Sequence, residues 1–119
     1  MVRDEVEVLA DRLGSLTHEI ILWLEGKAEE YRRARKYKLA NRLRWHAASL
    51  GDAAYPLTYY ATKERNIEQL LVSYGSFYKA VTDILYECSG LDADKVFEFY
   101  DRAVGLATKL VMKALGVTE

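Results

Sequence analysis

Apolar residues recur every three or four positions along almost the whole chain, and no stretch alternates like a half-buried β-strand. The first of these rows is formed by Val6, Leu9, Leu13, Leu16, Ile20 and Leu24. This spacing places the row on one face of a helix of about six turns. Because the 119 residues include one proline, little interrupts the periodicity. The pattern predicts an all-α fold, a helical bundle.

Glycine, proline and capping residues divide the first half of this pattern into segments. Gly26 either ends the first long helix or lies inside a bent one. The second long helix is expected to end at Gly51, which can adopt the left-handed conformation of a C-terminal cap. Asp52 is a candidate N-cap for a short helix over residues 53–62, with Pro56 tolerated near its start. The bundle is therefore predicted to contain four long helices plus one short helix.

The second half of the chain has clearer helix boundaries. Asn66 is a candidate N-cap for a third long helix that ends near Gly90, and Asp92 is a candidate N-cap for a last helix that ends at Gly116. No linker or low-complexity tract separates these segments, so we expect a single all-α domain over residues 1–119.

Composition excludes several classes of protein. Half of the residues are hydrophobic, which is too many for a disordered chain. The longest wholly apolar run, residues 20–24, is far too short to span a membrane, and the acidic opening does not resemble a signal peptide. Cys88 is alone, which excludes an internal disulfide and is typical of the reducing cytoplasm. Few amides beside 29% charged residues indicate a thermophile.

The formal net charge of −1 conceals an uneven distribution along the chain. Residues 27–44 hold eight basic and two acidic side chains, a local charge of +6. The rest of the chain holds nine basic and sixteen acidic residues, a charge of −7. Dense positive charge on one segment is the electrostatic footprint of a phosphate-binding surface.

Helical spacing aligns part of this basic segment with two aromatic side chains. One line along the edge of the apolar face contains Tyr31, Arg35, Lys38, Arg42 and Trp45. Guanidinium and ammonium groups bind phosphate oxygens, and aromatic rings stack on bases. The sequence therefore predicts a nucleic-acid-binding surface formed by Tyr31, Arg32, Arg35, Lys36, Lys38, Arg42, Arg44 and Trp45. The alternative is a solvated or protein-binding face, since charged runs on helices are commonly paired locally.

A catalytic alternative rests on Arg12 and His18, which are separated by five residues. This spacing resembles the Arg-x(4–6)-His motif of the HEPN family, small helical bundles that often act as metal-independent ribonucleases. The resemblance implies that His18 acts as acid or base and that Arg12 holds the scissile phosphate. The structural alternative places Arg12 in a surface ion pair and His18 on a helix flank.

The remaining residue patterns favour protein contacts over a metal or cofactor site. The chain has no Cys/His pair at zinc spacing and no glycine-rich phosphate loop, so no metal and no cofactor are expected. His46 either joins the basic surface or borders the core. Core packing explains most of the nine tyrosines, and any aromatic surface beyond what a small bundle can bury would favour a protein interface. A protein–protein interaction adaptor is therefore a further alternative, with self-association as one form of it.

Four stretches of the chain together resemble a known family. They are residues 37–51, 55–63, 73–86 and 99–109, and the resemblance extends loosely over residues 31–114. In order, they are similar to the basic helix, the short apolar helix after a glycine and the two closing helices of the small subunits of CRISPR effector complexes. The chain resembles both the type III-B RAMP small subunit and the type I-A small subunit.

The resemblance implies a non-catalytic subunit of an antiviral defence complex that stacks with copies of itself along the guide–target duplex. Its partners would be RNA, or another single-stranded nucleic acid, and other protein subunits. Phosphate contacts would make such binding independent of sequence and sensitive to salt. The leading hypothesis is thus a non-catalytic scaffold that contacts the RNA backbone through a basic helix.

Overall fold

The computed structural model describes residues 4–116, and these fold into helices joined by short turns. The helices are α1 (Glu5–Arg33), α2 (Tyr37–Thr62), α3 (Ile67–Cys88) and α4 (Ala93–Ala114). Because three or four residues separate consecutive helices, neighbours run antiparallel. α1 and α3 each pack against α2 and α4, and α2 also touches α4 across the bundle. The prediction of an all-α helical bundle is confirmed for the described residues.

The bundle is elongated, with extents of 49 × 27 × 24 Å. Its up-down-up-down order brings the α1–α2 turn and the α3–α4 turn to one end, and the α2–α3 turn to the other. None of the helices within residues 4–116 combines the length and apolar character that a membrane crossing requires.

α1 is the longest helix, and Gly26 lies inside it. Asp4 caps its start by accepting a hydrogen bond from the backbone N–H of Val6 at 2.8 Å. Leu13 and Leu24 are fully buried, as the periodicity predicts, and Ala28 continues the buried row two residues beyond the glycine. The alternative in which Gly26 separates two helices is therefore wrong, because core packing continues on both sides of it.

α2 continues through the positions predicted to separate it from a fifth, short helix. Gly51 lies in the helix interior, where the Cβ of any larger residue would make an ordinary contact with Ile21 of α1 at 3.5 Å. Asp52 is exposed and Pro56 stands inside the helix. The fifth helix is a wrong prediction, because the buried row formed by Leu50, Ala54, Leu57 and Ala61 keeps its helical spacing across these residues. Tertiary packing outweighs the local signals for a break.

The caps predicted for the second half are confirmed. The Asn66 side chain accepts from the N–H of Gln69, and the Asp92 side chain accepts from the N–H of Lys95, each at 3.1 Å. Gly116 follows α4 with a φ of 78°, the left-handed conformation expected of a residue that ends a helix. Cys88 is 1% exposed, and burial raises the pKa of its thiol to about 11.

Candidate functional site

The predicted basic surface is divided by the turn between α1 and α2. Arg35 has a φ of 62°, in the left-handed region. Its N–H donates to the carbonyl of Arg32 at 3.0 Å, and the N–H of Lys36 donates to the carbonyl of Tyr31 at 2.8 Å. These two bonds form a Schellman motif, the usual way of ending a helix on a left-handed residue. The Lys36 ammonium lies 5.8 Å from the centre of the Tyr31 ring, which adds the contact that accompanies the motif.

This turn corrects the predicted geometry of the basic residues. Tyr31 belongs to α1, Arg35 to the turn, and Lys38 and Trp45 to α2. The single line along one helix is therefore wrong, because the chain reverses direction between its members. The reversal instead groups the residues closest to the turn at one end of the bundle, and every side chain over residues 32–38 is exposed.

Arginine is an uncommon residue for the left-handed position, where its Cβ crowds the backbone and glycine is preferred. We expect Arg35→Gly to raise the free energy of unfolding by about 0.5–1 kcal/mol, less than the full steric cost because glycine loses more entropy on folding. Urea denaturation of the two proteins measures the change.

Arg65 supplies a matched control, since it is also left-handed, with a φ of 51°. Its guanidinium pairs with Asp4 at 2.6 Å, so Arg65→Gly relieves the same steric cost and loses an ion pair. The gain is expected to be smaller there. Destabilisation by Arg35→Gly would show that the Arg35 side chain itself supports the turn.

Glu29 neutralises part of the predicted surface. The guanidinium of Arg32 donates to both carboxylate oxygens, at 2.5 and 2.8 Å, and Arg33 approaches to 3.3 Å. Arg44 of α2 lies 3.5 Å away and so links the two helices. The hydrogen bonds from Arg32, with a smaller contribution from Arg33, lower the pKa of Glu29 to about 2. Arg32 and Arg44, both predicted to bind nucleic acid, are thus engaged within the protein.

A second cluster holds Arg42 against α3. Its guanidinium makes two hydrogen bonds to Glu87, at 2.7 and 2.8 Å, and lies 4.3 Å from the centre of the Trp45 ring. Glu87 also bonds Nε2 of His46, which is 1% exposed. Arg42 lowers the pKa of Glu87 to about 2, assisted by His46. Because Glu87 is ionised at neutral pH, Nε2 of His46 carries the hydrogen. Of the alternatives for His46, a core position is confirmed.

Three predicted cations remain outside these clusters. Arg35, Lys36 and Lys38 are exposed and form no ion pair with any residue in the described part of the chain, whereas the other five basic residues of residues 27–44 are all paired. We call these three residues the basic turn. Tyr31 lies half-buried beside it, and Tyr37 lies within it with 56% of its surface exposed. Three free cations next to two aromatic rings suit the phosphates and bases of a single strand.

Two residues outside the predicted set lie at the same place. Arg33 has a 76% exposed side chain and touches Glu29 only at 3.3 Å, and Tyr37 offers an exposed ring between two lysines. Their signal in the sequence is the run of five basic residues within seven positions, residues 32–38, with a tyrosine among them.

Arg12 and His18 line different grooves of the structure. Arg12 lies on the side of α1 that faces α4, beside Leu9 and Met112. His18 lies in the groove between α1 and α2, beside Thr62. The HEPN-like alternative, which needs both side chains at one phosphate, stays a prediction.

A search for metal-binding clusters and comparisons with known proteins give no further indication of function. No group of three or more His, Cys, Asp or Glu within residues 4–116 is arranged to hold a metal ion. Comparisons of the chain with protein families, with curated proteins and with solved structures found no match.

Proposed function

We propose that this protein is a non-catalytic scaffold that binds the sugar–phosphate backbone of single-stranded RNA through the basic turn. The observation that carries the proposal is the separation of the basic residues into two groups. Five are neutralised by carboxylates of the same chain, while Arg35, Lys36 and Lys38 are exposed at one end of the bundle and form no ion pair within residues 4–116. A cation without an internal partner is available to a phosphate at no cost in broken ion pairs.

The backbone at Arg35 supports the same proposal. A left-handed arginine costs stability that glycine would avoid, and strained residues of this kind tend to cluster at functional sites. The Schellman hydrogen bonds fix the backbone at Arg35, so the ordering cost of binding falls on its side chain alone. Tyr37 supplies an exposed ring on which an unpaired base can stack.

A scaffold role agrees with the resemblance to the small subunits of CRISPR effector complexes, which bind nucleic acid and do not cut it. Part of that resemblance was a short helix after Gly51, and α2 is continuous there. The proposal therefore rests on the basic turn and not on the family. Assembly with other protein subunits, in a cytoplasmic and thermophilic setting, belongs to the same proposal.

Replacing Arg35, Lys36 and Lys38 together by alanine is expected to weaken binding to a labelled single-stranded RNA by about tenfold or more at low salt. Loss of three phosphate contacts should also flatten the slope of log affinity against log salt by about 2. Fluorescence anisotropy over a salt series measures both quantities. Single-stranded DNA of the same sequence, measured in parallel, tests the preference for RNA.

The matched control replaces Lys63, Lys109 and Lys113, which lie toward the opposite end of the bundle. Both triple variants remove three positive charges, so each changes the net charge from −1 to −4. Equal losses of affinity in both would indicate a general charge effect and contradict the proposed site, as would unchanged binding by the first variant. Cleavage of the RNA that disappears in His18→Ala would favour the ribonuclease alternative.

A further inference from the structure

Two ion pairs join α1 to α4 and show how the two helices align. Glu5 of α1 pairs with Lys113 of α4 at 3.2 Å. Further along α1, Glu19 pairs with Arg102 of α4 at 3.0 Å. Arg12 lies midway between the two glutamates, and a spacing of seven residues places all three on one face of α1. Because the helices run antiparallel, Arg12 lies opposite the part of α4 between Arg102 and Lys113.

The middle of this seam holds two cations on opposite helices. Lys109, which lies between the two paired residues of α4, lines the same groove as Arg12. Both side chains are exposed, and neither forms an ion pair with any other residue of the described range 4–116. Glu5 also lines the groove, but its carboxylate is already paired with Lys113. Two like charges that share a groove repel each other, so both attract an anion placed between them.

The groove that contains these two cations has an apolar floor. Val8 and Leu9 of α1 and Met112 of α4 line it, and all three are half-buried. Its volume is about 420 Å³, within the range of about 300–1,000 Å³ that is usual for small-molecule sites. An apolar floor with a few convergent charged groups is the usual composition of such sites.

The charges on either side of Arg12 give a ligand one direction. On the side away from the floor, the neighbouring groove is lined by Asp11 and Glu19, whose carboxylates repel an anionic head group. On the other side, the floor extends along α1 to the ion pair of Glu5, about 10 Å from Arg12. An anionic head group is therefore favoured at the two cations, with an apolar chain directed toward that ion pair.

We propose that this groove binds a medium-chain fatty acid, a linear carboxylate of about eight to ten carbons. The carboxylate accepts hydrogen bonds from the guanidinium of Arg12 and the ammonium of Lys109, as the glutamates of α1 do from the other cations of the seam. The alkyl chain covers Val8, Leu9 and Met112, which removes apolar surface of both partners from water. An extended chain of about eight carbons covers the roughly 10 Å of floor.

This groove is separate from the basic turn. Arg12 lies toward the opposite end of α1 from Arg33, about 30 Å away along the helix. The ligand differs as well, because a sugar–phosphate backbone has no alkyl chain to cover the floor. Fatty-acid binding therefore does not rest on RNA binding, and each can be tested without the other.

The probe is sodium decanoate, titrated below its micelle concentration into the full ¹⁵N-labelled chain and followed by ¹H–¹⁵N correlation spectra. We expect progressive shifts of the amide signals of residues 5–12 and 109–113, with a dissociation constant of about 0.1–1 mM. The double variant Arg12→Ala/Lys109→Ala should weaken binding at least tenfold, because the carboxylate loses both partners. Both side chains are exposed and outside any ion pair of residues 4–116, so the fold is expected to tolerate the change.

Lys36→Ala/Lys38→Ala is the matched control, since it also removes two exposed positive charges and leaves the groove intact. It should bind decanoate as the wild type does. Acetate has the carboxylate without the chain, and decylammonium has the chain with a positive head group, so neither should shift these signals at the same concentration. Circular dichroism checks that both variants are folded.

Three results would overturn the proposal. The first is a wild-type chain whose signals do not shift with decanoate. The second is an equal loss of affinity in the two double variants, which would indicate a general charge effect. The third is a shift by acetate or decylammonium as large as that by decanoate, which would show that the groove does not recognise a head group and a chain together. RNA binding by the basic turn is measured separately and is unaffected by any of these results.

Discussion

Replacing Glu87 by alanine is expected to lower the free energy of unfolding by about 1.5–3 kcal/mol. The carboxylate accepts two hydrogen bonds from Arg42 and one from the buried Nε2 of His46. Without it, His46 is left with an unpaired donor inside the bundle, which costs more than the lost bond contributed. Because the Glu87 side chain is 40% exposed, water limits the loss below that of a fully buried ion pair. Urea denaturation measures the change.

Glu87→Gln separates hydrogen bonding from charge at the same position. The amide oxygen still accepts a hydrogen bond, so we expect about half of the loss seen with alanine. Glu98→Gln is the matched control, because it removes the same charge from an exposed pair with Arg102 and should cost less than about 0.5 kcal/mol. A loss in this control as large as that of Glu87→Ala would contradict the role assigned to His46.

The acid dependence of stability tests the same pair in a second way. Arg42, assisted by His46, lowers the pKa of Glu87 from 4.5 to about 2. A carboxyl with a lowered folded-state pKa contributes stability above its unfolded pKa, and this stability is lost as pH falls from 4.5 toward 2. Glu87→Gln should therefore lose less stability than the wild type across this window. Glu29, whose pKa is also about 2, keeps part of the acid sensitivity in the variant.

The sequence predicts the helices well where buried rows and caps agree. Asn66 and Asp92 each precede a clear apolar row, and both accept the capping hydrogen bond expected of them. The break between α1 and α2 escapes prediction because its residues carry no breaker signal. Arg35 takes the left-handed position usually given to glycine, and helical spacing continues across it. The sign in the sequence is the lack of an aliphatic residue larger than alanine over residues 32–38, about two turns of a helix.

The sequence predicts which residues form the candidate site, but it does not predict how they are arranged. All eight predicted residues lie in or near the end of the bundle that holds the α1–α2 turn. Ion pairs within the protein, however, decide which of them can contact a ligand. Glu29 is close in sequence to Arg32, so that pair is foreseeable from helical spacing. The bond between Arg42 and Glu87 spans 45 positions and depends on how α2 and α3 align. Periodicity contains no information on that alignment.

Replacing Pro56 by alanine is expected to raise the free energy of unfolding by about 1–2 kcal/mol and the melting temperature by about 4 °C or more. Pro56 lies inside α2, where its nitrogen has no hydrogen to donate to the carbonyl of Asp52, four residues earlier. A proline in a helix interior costs about 3 kcal/mol, and part of the gain is offset by the ring's own packing and by the more flexible unfolded chain of the variant. A thermal melt followed by circular dichroism measures it.

The control for this substitution is Thr58→Ala in the same turn of α2. Thr58 is half-buried like Pro56, and its hydroxyl donates to the carbonyl of Tyr55 at 3.0 Å, so alanine removes a side chain there without restoring a backbone bond. We expect no gain from it. A Pro56→Ala variant that melts below the wild type would show that the proline ring stabilises the packing of α2. That result would mean that the residues predicted to break the helix, residues 51–56, favour the shape in which α2 packs in the bundle. They would then not be a source of instability that the buried row of α2 outweighs.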